Sequence, residues 1–280
     1  MVVSRETQWY QKILLVFGVR KEYTENMTAV TISVVNQKGG VGKTTTAINT
    51  ASYLSEQGKK VLLIDLDPQA NATSGVGVRQ DKVEWNLYHL LMDLKPVQDC
   101  VYPTIFKKLH VVPSSKDLAG AEVELVKMVS RETCLKKRIE ELAKFYDFII
   151  IDCPPSLGLL TLNGLVACNK AIIPVQCEYF ALEGIAGLIS TLNLVKESYN
   201  PGLEIAGIVL TMFDQRTALN RQVVENTKRF FKELVFDTII PRNIRLTEAP
   251  SHGLPISLYN PRSKGAEAYY QLSKEVLCRV

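Results

Sequence analysis

From residue 29 to the end of the chain, short runs of β-branched and apolar residues alternate with stretches in which apolar positions recur at helical spacing. The runs at 30–35, 60–65, 109–113, 148–152, 171–175 and 205–211, and a short one at 237–240, are predicted strands. Several are apolar at successive positions, as in Phe148-Ile149-Ile150-Ile151, the pattern of a strand covered on both faces. Helical spacing over 44–57, 118–127, 132–145, 182–197, 221–233 and 266–277 predicts the crossovers. Strand and helix in regular alternation predict an α/β fold in three layers, a mostly parallel central sheet with helices on both faces. No repeat and no Gly/Ser/Pro-rich linker interrupts residues 29–280, so they are read as one domain. Residues 1–28 carry mixed charge and no pattern that joins them to the rest. Met27 lies just before the first strand, and the economical reading is that translation starts there; the alternative is an N-terminal docking segment.

Composition narrows the class. The chain has 280 residues, 46% hydrophobic and 22% charged, which is ordinary for a soluble globular protein and large enough to hold a core without disulfides or structural metal. Six scattered cysteines form no C-x-x-C pair, which argues against a zinc ribbon and fits a reducing compartment. The net charge of +4 is too small to indicate nucleic-acid binding unless basic residues gather on one face. No apolar run reaches the roughly 18–20 residues of a membrane span, and a cytoplasmic protein is expected.

Chemistry enters with Asn36-Gln37-Lys38-Gly39-Gly40-Val41-Gly42-Lys43-Thr44-Thr45-Thr46, which follows a predicted strand and opens a predicted helix. In that context a glycine-rich run is a phosphate loop: Gly39, Gly40 and Gly42 let backbone N–H groups approach phosphate oxygens, and the helix N-terminus adds partial positive charge. Lys43 is placed for the β- and γ-phosphates, the Thr44 hydroxyl for Mg²⁺ and Thr45 for the α-phosphate. The strict spacing fails, since Gln37 stands where the first glycine belongs, and Lys38 is a second lysine that one cradle does not need. Asp65 and Asp67 end one predicted strand and Asp152 another, where ligands of open α/β sheets bind. Singly such aspartates are often turn or helix caps; three beside a phosphate loop point to nucleotide hydrolysis.

Together, Lys38 to Thr45, Asp65-Leu66-Asp67-Pro68-Gln69-Ala70-Asn71-Ala72-Thr73 and Ile151-Asp152-Cys153-Pro154-Pro155-Ser156 resemble the deviant Walker A ATPases of the P-loop NTPase class. Within them the chain is most similar to the ParA/Soj chromosome-partitioning ATPases, a likeness extending over Pro174 to Glu178, Leu210 to Thr217 and Ile240 to Ser251. The resemblance implies an ATP-sandwich homodimer in which Lys38 reaches the phosphates held by the other subunit, and a cradle running from Lys38 through Val41 to Thr45. It further implies that Asp67 positions the attacking water, that Asp152 is the Walker B aspartate, and that Asp65 supports Mg²⁺ from behind. Pro241 and Asn243 match an adenine-contacting segment, making the nucleotide ATP. Arg216 and Arg245 match positions implicated in sequence-independent DNA binding, and Arg221, Lys228, Arg229, Lys232 and Arg242 could widen that face. A ParB-type partner, slow ATP hydrolysis and association with the nucleoid complete the expectation, with no membrane involved.

Two other classes compete. A MinD-like membrane switch would end in a short basic amphipathic helix, but the last helical stretch carries Glu275 and few basic residues, so it reads as a packing helix. A nitrogenase-iron-protein-like redox carrier is invited by Cys153, yet no second cysteine has cluster spacing, and Cys153 is expected to be buried.

Overall fold

A computed structural model describes residues 29–280; the expectations for residues 1–28 lie outside the described residues. Its centre is a seven-stranded sheet in the order β3-β4-β2-β5-β1-β6-β7. The strands are β1 (Val30–Val34), β2 (Val61–Asp65), β3 (Tyr102–Pro103), β4 (Leu109–Val112), β5 (Phe148–Asp152), β6 (Lys170–Gln176) and β7 (Glu204–Thr211). All neighbours pair in parallel except β3, a two-residue edge strand antiparallel to β4.

The continuous apolar runs mean what their pattern implies. Ile149 and Ile151 pack into one core with Leu62, Ile64 and Ile173. Phe148 and Ile150 point the other way, into a second core with Ile32, Val34, Leu63 and Ile172. Long helices cover both faces. On one side lie α1 (Lys43–Glu56) and α11 (Lys264–Arg279), with Ile48, Leu54, Tyr269, Leu272 and Val276 buried. On the other lie α4 (Leu118–Leu125), α5 (Cys134–Ala143), α6 (Leu159–Ala167), α7 (Ala181–Ser198) and α8 (Ala218–Phe231). Short helices α2 (Asn71–Gly75), α3 (Leu87–Leu91), α9 (Ile244–Glu248) and α10 (Ile256–Tyr259) fill the connections. The three-layer α/β expectation is met.

Several local expectations shift. The predicted strand at 237–240 is not a strand: the segment runs beside β7 through isolated bonds, Phe236 N–H to Ile208 O (2.9 Å) and Ile240 N–H to Leu210 O (2.8 Å). The N–H groups between them, of Asp237 and Thr238, donate instead to the Glu275 carboxylate at 2.7 and 3.0 Å, so no ladder forms. Helix α6, Leu-Leu-Thr-Leu-Asn-Gly-Leu-Val-Ala, escaped the periodicity reading because its apolar residues do not keep to one face.

The last helix is a packing element. Its Tyr269 hydroxyl lies 3.1 Å from Thr46 Oγ1 on α1. Its terminal Arg279 donates to Glu233 O (3.0 Å), Val235 O (2.9 Å) and Glu275 (2.9 Å), with the guanidinium over the Phe236 ring. No helix among the described residues is long and apolar enough to cross a membrane.

Phe236 fits against β7 only because residue 207 has no side chain: a Cβ there would lie 2.6 and 2.8 Å from ring atoms of Phe236 and 3.0 Å from Arg279 Nη1. Gly207→Ala is therefore expected to lower stability by about 1–3 kcal/mol through overpacking, measured as a lowered urea midpoint with unchanged m-value. A midpoint unchanged from wild type would show that the ring moves freely.

Candidate nucleotide site

Strand β1 sits between β5 and β6, and the chain leaves it first toward β2 and later toward β6 and β7. A cleft opens at the carboxyl ends of the strands beside such a reversal. Here it has a volume of about 740 Å³ and is lined by Gly39, Gly40, Gly42, Lys43, Thr44, Thr45, Asp67, Pro241 and Asn243, all singled out in the sequence.

The loop's conformation explains its glycines. Gly40 (φ 74°) and Gly42 (φ 90°) are left-handed, which a Cβ would strain, and Gly42 caps the start of α1. Gln37 is not among the positive-φ residues, so replacing the usual glycine there carries no strain. Thr211 Oγ1 at the end of β7 donates to Val41 O at 2.8 Å, tying the loop to the strand beyond β6. The Val41 side chain is buried away from the cleft, so its share in phosphate binding can come only from its backbone.

The two lysines have separate positions. Lys43 is buried, and its ammonium donates to Lys38 O at 2.9 Å. Burial lowers its pKa, while the charges of Asp152, Cys153 and Asp67 oppose that fall. Lys38 does not line the cleft; its half-exposed ammonium pairs with Glu178. Nothing in sequence announces that pair, since Glu178 lies beyond five further strands.

Behind the loop, Asp65 and Asp152 are register partners on adjacent strands, both fully buried. Asp65 is saturated. Its Oδ2 accepts from Thr73 N–H and Oγ1, both at 2.7 Å, and its Oδ1 from Asp67 N–H at 3.3 Å. Burial pushes its pKa up to about 6 despite the Thr73 bonds, and the Asp67 charge adds to the rise. Neither oxygen of Asp152 has a well-formed hydrogen-bond partner among the described residues. Burial, and then the charge of Asp65, hold its pKa well above the usual carboxylate range; the Thr44 hydroxyl and Lys43 oppose them. Asp67 differs, reaching the cleft while its Oδ1 accepts from Gln69 N–H at 2.9 Å.

An unsatisfied buried carboxylate beside a phosphate-loop threonine fits a divalent cation, the kind of group that relieves such a charge. Among the described residues no three His, Cys, Asp or Glu side chains converge as a metal cage. That suits Mg²⁺, which is usually held by one or two protein oxygens together with phosphates and water. Cys153 is buried, as expected of a packing residue.

Sequence reasoning did not find the far wall. Met212, at φ 53°, and Ile244, 68% exposed, line the cleft with Gln69, Asn71 and Tyr269. A non-glycine residue in left-handed space beside a ligand cleft is a recurrent mark of function, but no sequence signal precedes it. Arg216 and Arg245 do not line the cleft; both are exposed on segments that leave it.

A family model described as an AAA domain matches residues 29–205. The chain is 54% identical over 245 residues to the sporulation initiation inhibitor protein Soj of Bacillus subtilis, covering 88% of this chain and 97% of that protein. It is 52% identical over 248 residues to the chromosome partitioning protein ParA of Myxococcus xanthus, covering 89% and 88%. Among solved structures, cobyrinic acid a,c-diamide synthase from Mycobacterium smegmatis, with a bound ATP analogue and magnesium, matches with a TM-score of 0.78 at 36% identity, covering 89% of this chain and 94% of that one.

Two substitutions probe the buried carboxylates. Thr73→Val removes the hydroxyl that donates to Asp65 and accepts from Ser114 N–H at 2.9 Å. It should cost about 1–3 kcal/mol in denaturant unfolding, since buried partners are left unsatisfied. Asp152→Asn removes a charge that the nucleotide-free protein does not satisfy. The folded pKa of Asp152 lies above its ordinary 3.8, so wild type loses stability as pH rises through that interval. Its stability relative to the variant should fall by up to about 1.4 kcal/mol per pH unit there, while the variant's Mg²⁺-dependent nucleotide affinity drops. Parallel stability curves for the two proteins would refute the desolvated carboxylate.

Proposed function

Because the chain belongs to the ParA/Soj family of partitioning P-loop ATPases, we propose that ATP and Mg²⁺ close it into a two-fold dimer, that the dimer binds DNA without sequence preference, and that slow hydrolysis, stimulated by a ParB-type partner, releases it. The observation that carries this reading is the separation of the two loop lysines. Lys43 is buried at the cradle, where a nucleotide's own phosphates meet it, whereas Lys38 stands outside the cleft with its ammonium half exposed. A cation so placed serves the phosphates of a second copy facing it across a two-fold axis. It therefore favours the nucleotide-filled pair over the single chain.

Within one subunit the roles follow from position. Backbone N–H groups from Gly39 to Thr45 and the N-terminus of α1 serve the phosphates, and Pro241 and Asn243, which line the same cleft, are assigned to the base. Thr44 and Asp152, with Asp65 held rigid behind them, would hold Mg²⁺, which when bound neutralises charge on the phosphates. Asp67 reaches the cleft with one oxygen fixed by Gln69 N–H and the other able to orient a water. Such a site turns over slowly when no group is poised as a strong base, which suits a timer more than a producer.

The membrane reading has no observation in its favour. The face of α11 that a lipid surface would need is spent on Tyr269, Leu272 and Val276 in the core. Arg216 and Arg245 are exposed and support contact with phosphate backbones, which positions without reading sequence. Helix α8 also exposes Arg221 and Arg229, while Lys228 lies 3.5 Å from Asp237.

Size-exclusion chromatography of Asp67→Ala tests the scheme: it should run as a dimer with ATP and Mg²⁺, as a monomer without, and only the dimer should shift a random-sequence duplex. Adding Lys38→Ala should restore the monomer at the same ATP concentration. Rapid ATP turnover by Asp67→Ala would end its assignment to the attacking water, and an ATP-loaded monomer would end the sandwich.

A further inference from the structure

The two arginines to which the DNA reading assigns phosphate contacts are both already occupied. Arg216 forms a bidentate pair with Asp214, Nε to Oδ1 at 2.9 Å and Nη2 to Oδ2 at 2.7 Å. Arg245 Nη1 donates to Glu248 Oε2 at 2.8 Å. In each pair the arginine is the outer partner, 84% against 21% exposed for the first and 49% against 35% for the second.

The carboxylates are fixed by more than their arginines. Asp214 Oδ1 also accepts Arg216 N–H at 3.0 Å, and Asp214 N–H donates to Asn220 Oδ1 at 2.8 Å, so the side chain cannot swing away without opening the turn. Glu248 Oε2 accepts the Tyr259 hydroxyl at 3.0 Å, and the Tyr259 ring stacks on His252. Both pairs ride on segments rooted in the nucleotide cleft. Met212 and Asn243 line it, Asn243 Oδ1 accepts Arg245 N–H at 2.9 Å, and the segments are joined by Arg242 N–H to Phe213 O at 2.9 Å.

We propose that Asp214 and Glu248 are built-in competitors for DNA phosphate, counter-charges that set the strength and salt dependence of DNA binding. The proposal rests on the DNA-binding reading above. An arginine in a bidentate pair has its matched acceptor already, so a phosphate must displace the carboxylate or share the guanidinium beside a like charge. Each pair presents no net charge to the duplex and displaces fewer counterions than the arginine alone would. Nonspecific affinity is thereby held below what the basic residues could give, a requirement for a protein that must let go of DNA.

The test is fluorescence anisotropy of the full chain on a random-sequence duplex, with Mg²⁺ and a nonhydrolysable ATP analogue, across a salt series. Asp214→Asn keeps an acceptor for the Arg216 N–H, and Glu248→Gln keeps one for Tyr259. Each should bind about threefold or more tightly at low salt and steepen the slope of log K against log salt by up to about 0.9, one phosphate contact's worth; the double variant should exceed both. Unchanged or weaker binding by variants with wild-type unfolding midpoints overturns the proposal, since the carboxylates then orient the arginines or play no part. If Asp214→Asn does not fold, Asp214→Ser, which also supports the turn, takes its place. Arg216→Ala and Arg245→Ala in the same assay separate the layers. If neither weakens binding, the DNA assignment itself falls; if both do and the carboxylate variants gain nothing, only the competitor role falls.

Discussion

Two carboxylates side by side at the ends of neighbouring strands, with no access to water, are the constraint around which this molecule is arranged. Asp65 and Asp152 are in register on β2 and β5, and like charges so close cannot both ionise cheaply. The fold answers differently on the two strands. Asp65 is given three donors, two of them from Thr73, and the turn that delivers Thr73 runs through Ala70 in left-handed space. Asp152 is left unsatisfied, with Lys43 and the Thr44 hydroxyl nearby. The difference gives one carboxylate a structural duty and leaves the other without a well-formed hydrogen-bond partner among the described residues. It also explains why Thr73, remote from the cleft, has a hydroxyl bonded on both sides.

The cations show the complementary arrangement. Lys43 donates to the carbonyl of Lys38, Lys38 pairs with Glu178, Arg216 with Asp214 and Arg245 with Glu248. Every basic residue that the family resemblance assigns to a phosphate thus has an acceptor within the chain. Exposed pairs are worth little, typically 0–1 kcal/mol, so these contacts hold side chains in place without locking them. A multiply charged phosphate can displace each.

Much of this was legible in the sequence. Strands covered on both faces leave continuous apolar runs, and Phe148 to Ile151 gave both strand and burial. The phosphate loop was readable because its glycines need backbone freedom that other residues lack, and Gly40 and Gly42 use it. What stayed hidden depends on the third dimension. Helix α6 has no polar stripe to mark its period, since it is enclosed between β1 and the neighbouring helices α4, α5 and α7. The segment at 237–240 has the composition of a strand, but Glu275 captures its N–H groups. Glu178, Met212 and Ile244 fall in stretches that carry the family likeness, but they reach the site from elements far along the chain and their residue types name no role there.

The outer arginines are joined to the candidate nucleotide cleft through one connected set of segments. Thr211, at the end of β7, bonds the phosphate loop through Val41 O, and its neighbour Met212 lines the cleft in a strained conformation. From there the chain runs directly to Asp214 and Arg216, and a backbone bond from Arg242 ties it to the segment in which Asn243 caps the helix bearing Arg245. The loop and the arginine-bearing segments are thus joined by hydrogen bonds as well as by packing. The two segments that line the cleft are the ones that carry the arginines beyond it.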